Sequence, residues 1–182
     1  MLRLLRSIFS AIRNIIWIKI NPVSYARSLG VLVGADTRLI SIRGGGGTFG
    51  SEPYLVKIGN HVTITGGVQF VTHDGGVWVF REQEPDIDVF GSIIIGDNVF
   101  VGYGAIIMPG VKIGNNCVVG AGAVVTKNIP DNSVAVGCPA KILYSIDQYY
   151  ESLKNKKENI RGYSSEEKKA FLIKKYMRKN GN

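Results

Sequence analysis

The chain has 182 residues, of which 45% are hydrophobic and 20% are charged, and it contains 23 glycines. A chain of this length can bury one sizeable core, which favours one principal domain with appendages, and no collagen-like or low-complexity period accompanies the glycines. The formal net charge is +8, with basic residues dense in the first twenty positions and after Lys154. No zinc-ligand spacing or aromatic-and-basic motif joins them, so we do not predict a nucleic-acid binder.

The first 28 residues form a basic and apolar segment. Arg13 and Lys19 interrupt its apolar run, and no small-residue cleavage site follows. We therefore predict an amphipathic helical segment over residues 1–28, and neither a secretory signal nor a spanning helix. In one interpretation this segment packs on the protein, and in the other residues 1–20 make a peripheral membrane contact.

Two cysteines, Cys117 and Cys138, show no disulfide or metal-ligand spacing. Their usage predicts a reducing compartment, and hence a cytoplasmic protein that the N-terminal segment could attach to a membrane.

Six consecutive hexapeptides begin at Ile95. Each starts with an aliphatic residue, and its fifth position is small or apolar. A period of six gives a helix no constant apolar face, whereas short strands joined by turns point the same position inward each time. Three such strands make one coil of a parallel β-helix, so the repeat predicts stacked coils. The aliphatic positions are Ile95, Val101, Ile107, Ile113, Val119 and Val125.

Two stretches interrupt this register, which starts earlier at Ile58 and less clearly at Val33. Residues 69–92 predict a loop extruded from a coil, with His73 at its base. Residues 44–55, GGGGTFGSEPYL, lack the Lys-Ser or Lys-Thr pair of a phosphate-binding loop, and we interpret them as a turn or a small excursion from the coil.

The composition changes near the C-terminus to lysine, glutamate, tyrosine and serine. Residues 144–182 predict helices, the second with Ser164 or Ser165 as N-cap and Glu167 near the capping-box position.

The hexapeptides, the histidine beside an extended loop and the closing motif VVTKNIPDNSVAVGCPAKIL together resemble the hexapeptide-repeat acyltransferases, in particular the branch that acetylates sugars. The resemblance covers residues 29–143. It implies a left-handed parallel β-helix over that range, between helical segments at residues 1–28 and 144–182. It also implies a homotrimer that binds acetyl-CoA between neighbouring subunits and needs no metal.

Acetyl transfer to a hydroxyl needs a base, and a histidine with an unperturbed pKa of about 6.5 offers a neutral imidazole at cytoplasmic pH. The chain has two histidines. His61 falls inside an intact hexapeptide, and we interpret it as an exposed coil residue. His73 stands where the repeat stops, and the resemblance implies that it is the catalytic base.

Asp74 is a candidate to orient His73 or to contact sugar hydroxyls. Neighbouring side chains of an extended segment point to opposite sides, however, so another group could orient the ring instead. The alternatives are a backbone carbonyl and the acidic residues Glu82, Glu84, Asp86 and Asp88. Trp78 is a candidate platform for a sugar ring, or a residue that pins the loop, and Glu82 is a further candidate for acceptor binding.

Acetyl-CoA contacts are implied by the resemblance alone. Small residues let the pantetheine arm lie against backbone amides, and two lysines meet the phosphates. Tyr103 departs from the small residue usual at its place, and a backbone N–H of Gly104 or Ala105 is a candidate oxyanion donor. The predicted cofactor residues are Tyr103, Gly104, Ala105, Ala121, Thr126, Lys127 and Lys141.

With this resemblance, the sequence predicts an O-acetyltransferase in which a sugar hydroxyl attacks acetyl-CoA directly. The predicted acceptor is a saccharide of surface-polysaccharide biosynthesis. In one version of the hypothesis this saccharide is linked to a lipid. N-acetylation of an amino sugar or sugar nucleotide is an alternative. A non-catalytic β-helix scaffold is the alternative from another class, and its carbonic-anhydrase-like form normally needs three histidine ligands, whereas this chain has two.

Overall fold

The computed structural model describes residues 13–44 and 46–177, which fall into two compact units that divide between Tyr149 and Tyr150. The α-helices of the described residues are α1 (residues 13–20), α2 (Pro22–Ser28), α3 (Ile146–Leu153) and α4 (Ser165–Leu172). Two 3-10 helices, Pro53–Leu55 and Gly75–Phe80, and a π-helix, Ile173–Met177, accompany them. The strands of the described residues are β1 Leu32–Val33, β2 Arg38–Leu39, β3 Val56–Ile58, β4 Thr63–Ile64, β5 Gln69–Phe70, β6 Ile93–Ile95, β7 Val99–Val101, β8 Ile106–Ile107, β9 Lys112–Ile113, β10 Cys117–Val119, β11 Val124–Val125, β12 Ser133–Val136 and β13 Lys141–Ser145.

The helix pair α1 and α2 belongs to the first unit and packs against its core. Asn21 caps α2 by accepting a hydrogen bond from the backbone N–H three residues on, and Pro22 occupies the first helical position. Trp17 lies edge-on to Tyr25 with ring centroids 5.9 Å apart, and Tyr25 is buried in the core. Residues 1–12 of the predicted amphipathic segment lie outside the described residues.

The chain winds through three parallel sheets. The first contains β1, β3, β6 and β9, the second β2, β4, β7, β10 and β12 with the antiparallel β13 at its edge, and the third β5, β8 and β11. From β3 to β11 the chain visits the three sheets in the same order, and β7 pairs in parallel with β10 at an offset of 18 residues. That offset equals three hexapeptides, so three strands form each coil, as the repeat predicts.

Inward positions of the hexapeptides form the core. The six predicted aliphatic positions are each no more than 1% exposed, and the fifth positions are no more than 5% exposed. Because each hexapeptide contributes only one or two buried side chains, a single unit gains little from burial, and stacking supplies the stability. The burial pattern inferred from the repeat is confirmed.

The corner between the first and second sheets carries a ladder of side-chain to backbone hydrogen bonds. Asp97 Oδ1 accepts from Asn60 N at 2.7 Å, and Asn115 Oδ1 accepts from Asp97 N at 2.8 Å. A Cβ on Gly96 would come within 2.6 Å of Asn115 Oδ1, which explains glycine beside this ladder. The polar turn residues of the repeat therefore connect successive coils along the axis.

A second ladder on the same corner contains the first histidine. His61 Nδ1 lies 2.9 Å from Asn98 Oδ1, and Asn98 Nδ2 donates to Asn116 Oδ1 at 2.9 Å. These three residues adopt left-handed backbone conformations, with φ between 51° and 54°. The exposed coil position predicted for His61 is confirmed, and the ladder gives it a structural partner.

Irregular segments sit on the coil and at its end. Strands β4 and β7 pair at an offset of 37 residues rather than 18, because the extruded loop lies between them. Strand β13 turns back antiparallel to β12 and extends to Ser145, two residues into the segment predicted to be helical.

The second unit contains α4. Ser164 accepts from Glu167 N, and the Glu167 side chain accepts from Ser164 N, which is the predicted capping box. Glu158 accepts hydrogen bonds from Lys175 and Tyr176, and the Lys175 ammonium is the main cause of the lowered pKa of Glu158.

Candidate active site

His73 lies at the neck of the extruded loop, three residues after β5. It forms an isolated antiparallel bridge with Phe90, while Asp74 N donates to Val89 O at 2.8 Å and Gly91 N donates to Thr72 O at 2.9 Å. These backbone contacts close the loop where it leaves the coil. The histidine is therefore held on the rigid scaffold, as the sequence predicts for the base of the loop.

Glu52 is the carboxylate that contacts the histidine. Its Oε2 lies 3.1 Å from His73 Nδ1 and accepts from Thr72 Oγ1 at 2.7 Å, whereas Ser51 Oγ lies 3.4 Å from the same Nδ1. Thr72 is fully buried, and the side chains of Glu52 and His73 are 15% and 43% exposed. The imidazole is thus anchored on one edge and open to solvent elsewhere.

The electrostatics of this contact fix the state of Glu52. The hydrogen bond from Thr72 is the largest influence and lowers the pKa of Glu52, burial opposes it, and the hydrogen bond and charge of His73 lower the pKa further. Glu52 is therefore an ionised acceptor at neutral pH. Because a carboxylate can only accept, Nδ1 of the neutral ring carries the hydrogen, and Nε2 keeps its lone pair for a proton.

Asp74 uses its carboxylate locally. Its side chain accepts from Gly76 N at 2.9 Å and caps the 3-10 turn Gly75–Phe80. The carboxylate in contact with the imidazole is that of Glu52, whereas the Asp74 side chain accepts from its own turn. A contact between Asp74 and an acceptor remains a prediction.

Sequence reasoning missed Glu52 because it lies in the segment interpreted as a turn. That segment and the extruded loop precede β3 and β6, and these two strands are paired neighbours. Two interruptions of the six-residue period that each precede one of two paired strands must lie on the same corner of successive coils. From this signal the proximity of Glu52 and His73 could have been predicted. The contact spans 21 residues of sequence, so no local pattern indicates it.

Two cavities flank the histidine. One, of about 410 Å³, is lined by the glycine-rich segment together with Thr72 and His73. The other, of about 390 Å³, is lined by Glu52, His73 and loop residues that include Trp78 and Arg81. Since both cavities reach His73, two reactants could approach the imidazole from different sides.

The loop-side cavity has an aromatic and charged wall. Trp78 is 71% exposed, and the Arg81 guanidinium lies 5.6 Å from the centre of its ring. Arg81 also pairs with Asp88 at 2.7 Å. Val77, and not Trp78, is the buried loop residue, so Trp78 is available to a ligand. Glu82 is exposed on the loop and lines neither cavity.

The predicted cofactor residues occupy a different corner. Tyr103 and Gly104 turn the chain from the second sheet into the third, and Ala121 lies in the turn one coil further on. Tyr103 is 68% exposed, Ala121 is exposed, and a Cβ on Gly104 would meet no atom within 4 Å. His73 comes after strand β5 of the third sheet, whereas these turns come before β8 and β11 of the same sheet. His73 and the predicted cofactor residues therefore do not lie together within one chain.

The remaining cofactor predictions divide by burial. Thr126, Lys127 and Lys141 are exposed, whereas the Ala105 side chain is fully buried. Gly104 N donates to Gly66 O at 3.0 Å, and Ala105 N donates to Gly102 O at 3.2 Å. Both N–H groups therefore already have carbonyl partners within the chain, and a role of either in stabilising an oxyanion stays a prediction.

Neither cysteine has the surroundings of a nucleophile. Cys117 is buried, burial raises the pKa of its thiol, and its Sγ donates to Pro130 O at 3.1 Å. Cys138 is exposed in the closing turn. Within residues 13–44 and 46–177, no group of three or more histidine, cysteine or acidic side chains is placed to hold a metal ion.

Comparisons with known proteins point in one direction. Residues 92–127 match the family model described as the hexapeptide repeat of succinyl-transferase. Protein CapG of Staphylococcus aureus is 55% identical over 150 residues, covering 82% of this chain and 86% of that protein. Galactoside O-acetyltransferase of Escherichia coli is 32% identical over 54% of this chain, and the match spans 50% of that enzyme.

A solved structure has a similar fold. The hexapeptide-repeat-containing acetyltransferase of Vibrio cholerae gives a TM-score of 0.52 at 27% identity, covering 64% of this chain and 63% of that one. Its complex with acetyl coenzyme A gives a TM-score of 0.50 at 25% identity over 67% of this chain and 74% of that one.

Proposed function

Since this chain belongs to the family of hexapeptide-repeat acetyltransferases, we propose that it is an O-acetyltransferase that moves an acetyl group from acetyl-CoA to a saccharide hydroxyl. His73 is the general base, and Glu52 orients it. The observation that carries this proposal is the contact of 3.1 Å between Glu52 Oε2 and His73 Nδ1 at the neck of the loop.

The base acts through Nε2. Glu52 holds the hydrogen on Nδ1, so the lone pair on Nε2 accepts the proton of the attacking saccharide hydroxyl. The imidazolium that results is stabilised by the Glu52 carboxylate, which Thr72 keeps ionised. His73 then returns the proton to the departing sulfur. Acetyl-CoA, when bound, supplies the thioester carbonyl that the hydroxyl attacks.

The fit of acetyl-CoA rests on the corner formed by Tyr103, Gly104 and Ala121. Open space at Gly104 and the exposed Ala121 leave room for an extended arm, and the exposed Lys127 and Lys141 offer charges to phosphates. The acetyl-CoA complex of the similar Vibrio cholerae acetyltransferase supports this ligand.

The proposed assembly follows from the separation of His73 from the Tyr103 corner within one chain. We propose a left-handed parallel β-helix that forms a homotrimer, in which the loop of one subunit places His73 beside the Tyr103 corner of its neighbour. The separation of these corners within one chain supports this arrangement. The exposed apolar loop residues Trp78, Val79 and Phe80 are available for such a contact.

The acceptor is proposed to be a saccharide of surface-polysaccharide biosynthesis. Its support is the galactoside O-acetyltransferase relative and the loop-side cavity, in which Trp78 can stack on a sugar ring and Arg81 and Asp88 can reach hydroxyls. The exposed free thiol of Cys138 is consistent with the reducing cytoplasm that we propose for the protein.

Acetyl transfer to a panel of saccharides tests the proposal. We expect wild type to acetylate at least one hydroxyl, identified by mass spectrometry, and His73→Ala to lower kcat by about 10²- to 10⁴-fold, the usual contribution of a positioned general base. His61→Ala is the matched control, because His61 has a ladder partner on another corner. Equal rates for wild type and His73→Ala would overturn the role of His73.

A further inference from the structure

Helix α1 presents two apolar faces instead of one. Trp17 and Ile18 pack against the core. The opposite side also carries isoleucines, since Ile15, Ile16 and Ile20 are 55%, 51% and 78% exposed. An ordinary surface helix has polar residues on its outer side, so three exposed isoleucines within six positions indicate a surface that is covered by something else.

An apolar cavity lies beside this face. It has a volume of about 580 Å³ and is lined by Ile15, Ile18 and Lys19 of α1, by Leu39 of β2, and by Ile42 and Arg43 in the segment that follows β2. Four of its lining side chains are leucine or isoleucine, and the two charged ones, Lys19 and Arg43, are both basic. The cavity and the outer face of α1 share Ile15, so they form one continuous surface.

The charge of this part of the chain is strongly one-sided. The first acidic residue is Asp36, and five basic residues precede it: Arg3, Arg6, Arg13, Lys19 and Arg27. Arg13, Lys19 and Arg43 are exposed. A second copy of this surface would repel it through like charges, whereas an anionic lipid surface offers complementary charge and an apolar interior together.

We propose that the outer face of α1 and the adjoining cavity dock on an anionic lipid membrane. The isoleucines insert among the acyl chains near the headgroups, and Arg13, Lys19 and Arg43 contact lipid phosphates. The helix lies in the plane of the interface. In the described parts of the chain, no helix has the length and apolarity needed to cross a bilayer.

Sedimentation of the full chain with vesicles tests this surface. Wild type should sediment with vesicles of phosphatidylcholine mixed with phosphatidylglycerol, and the amount that sediments with phosphatidylcholine alone should be lower by about tenfold or more. Added salt should release the protein from the mixed vesicles. Ile15→Asp and Lys19→Glu should each lower the affinity for mixed vesicles by about tenfold. Ile142→Asp is the matched control, because Ile142 is also 55% exposed but lies on β13.

Three results of the sedimentation experiment would overturn the proposal. These are equal sedimentation with neutral and anionic vesicles, an equal loss with Ile142→Asp, and no sedimentation of wild type. A change in the oligomeric mass of Lys19→Glu or Ile15→Asp, measured by light scattering, would assign the face to a contact between copies and also contradict it. Acetyl transfer to a soluble saccharide by Lys19→Glu stays at the wild-type rate, which separates this inference from the proposed reaction.

Discussion

At the residue scale, one carboxylate oxygen joins the core to the imidazole of His73. Oε2 of Glu52 accepts from buried Thr72 and contacts His73, so the imidazole orientation depends on a group that is itself fixed from the core side. Such a network resists rotation of the ring, because turning it would leave a largely buried carboxylate without one of its partners.

Glu52 should also make the stability of the protein depend on pH. Its folded pKa lies below the ordinary value of 4.5, so the unfolded chain binds more protons between the two values. The contribution is complete above the ordinary value and is lost as pH falls through the folded pKa. Urea unfolding of wild type should show a free energy of unfolding that falls over this acid range, and Glu52→Gln should show a shallower fall. An identical slope in both proteins would remove this linkage.

At the scale of elements, the corner ladders stabilise the coils. Asn98 combines a left-handed backbone, φ 54°, with side-chain hydrogen bonds to the coils on both sides. Asn98→Ala should lower the free energy of unfolding by about 2 kcal/mol, since it loses hydrogen bonds and strains the backbone. Asn98→Gly loses the same bonds without the strain, so denaturant unfolding should place it between wild type and Asn98→Ala. If the two variants are equally stable, the backbone conformation is not a source of strain.

The repeating elements also determine how much of the fold and of the candidate site can be predicted from the sequence. The period of six predicts the coils and their buried positions because each repeat position meets the same surroundings, as Ile113 and Val119 do. The same period predicts an extruded loop with His73 at its base, because the period stops there. It does not predict Glu52, which depends on how two insertions stack across coils, nor the partners of the Gly104 and Ala105 N–H groups, which depend on turn geometry.

At the scale of the whole molecule, the site is expected to need two copies of the chain. His73 lies beyond the C-terminal ends of the strands of the third sheet, whereas Tyr103 and Ala121 lie before their N-terminal ends. Each subunit would therefore give its histidine to one site and its Tyr103 corner to another. Closed symmetric assemblies repeat such a shared site at every interface.

Mixing two inactive variants tests this sharing. His73→Ala removes the base, and Ala121→Trp fills the exposed groove, so each homo-oligomer should be inactive. Trimers assembled from equal amounts should regain roughly a quarter of the wild-type rate, because random mixing leaves that share of interfaces with both parts intact. No recovery in mixed trimers, verified by mass, would place the whole site within one chain.

The central claim, that Glu52 acts through His73, is tested most directly by a double-mutant cycle on kcat for acetyl transfer. Glu52→Gln alone should lower kcat by about 10²-fold or more, with little change in KM for the acceptor. Glu52→Gln combined with His73→Ala should be no slower than His73→Ala alone, because the carboxylate has no imidazole left to orient. Losses that simply multiply in the double variant would contradict the account.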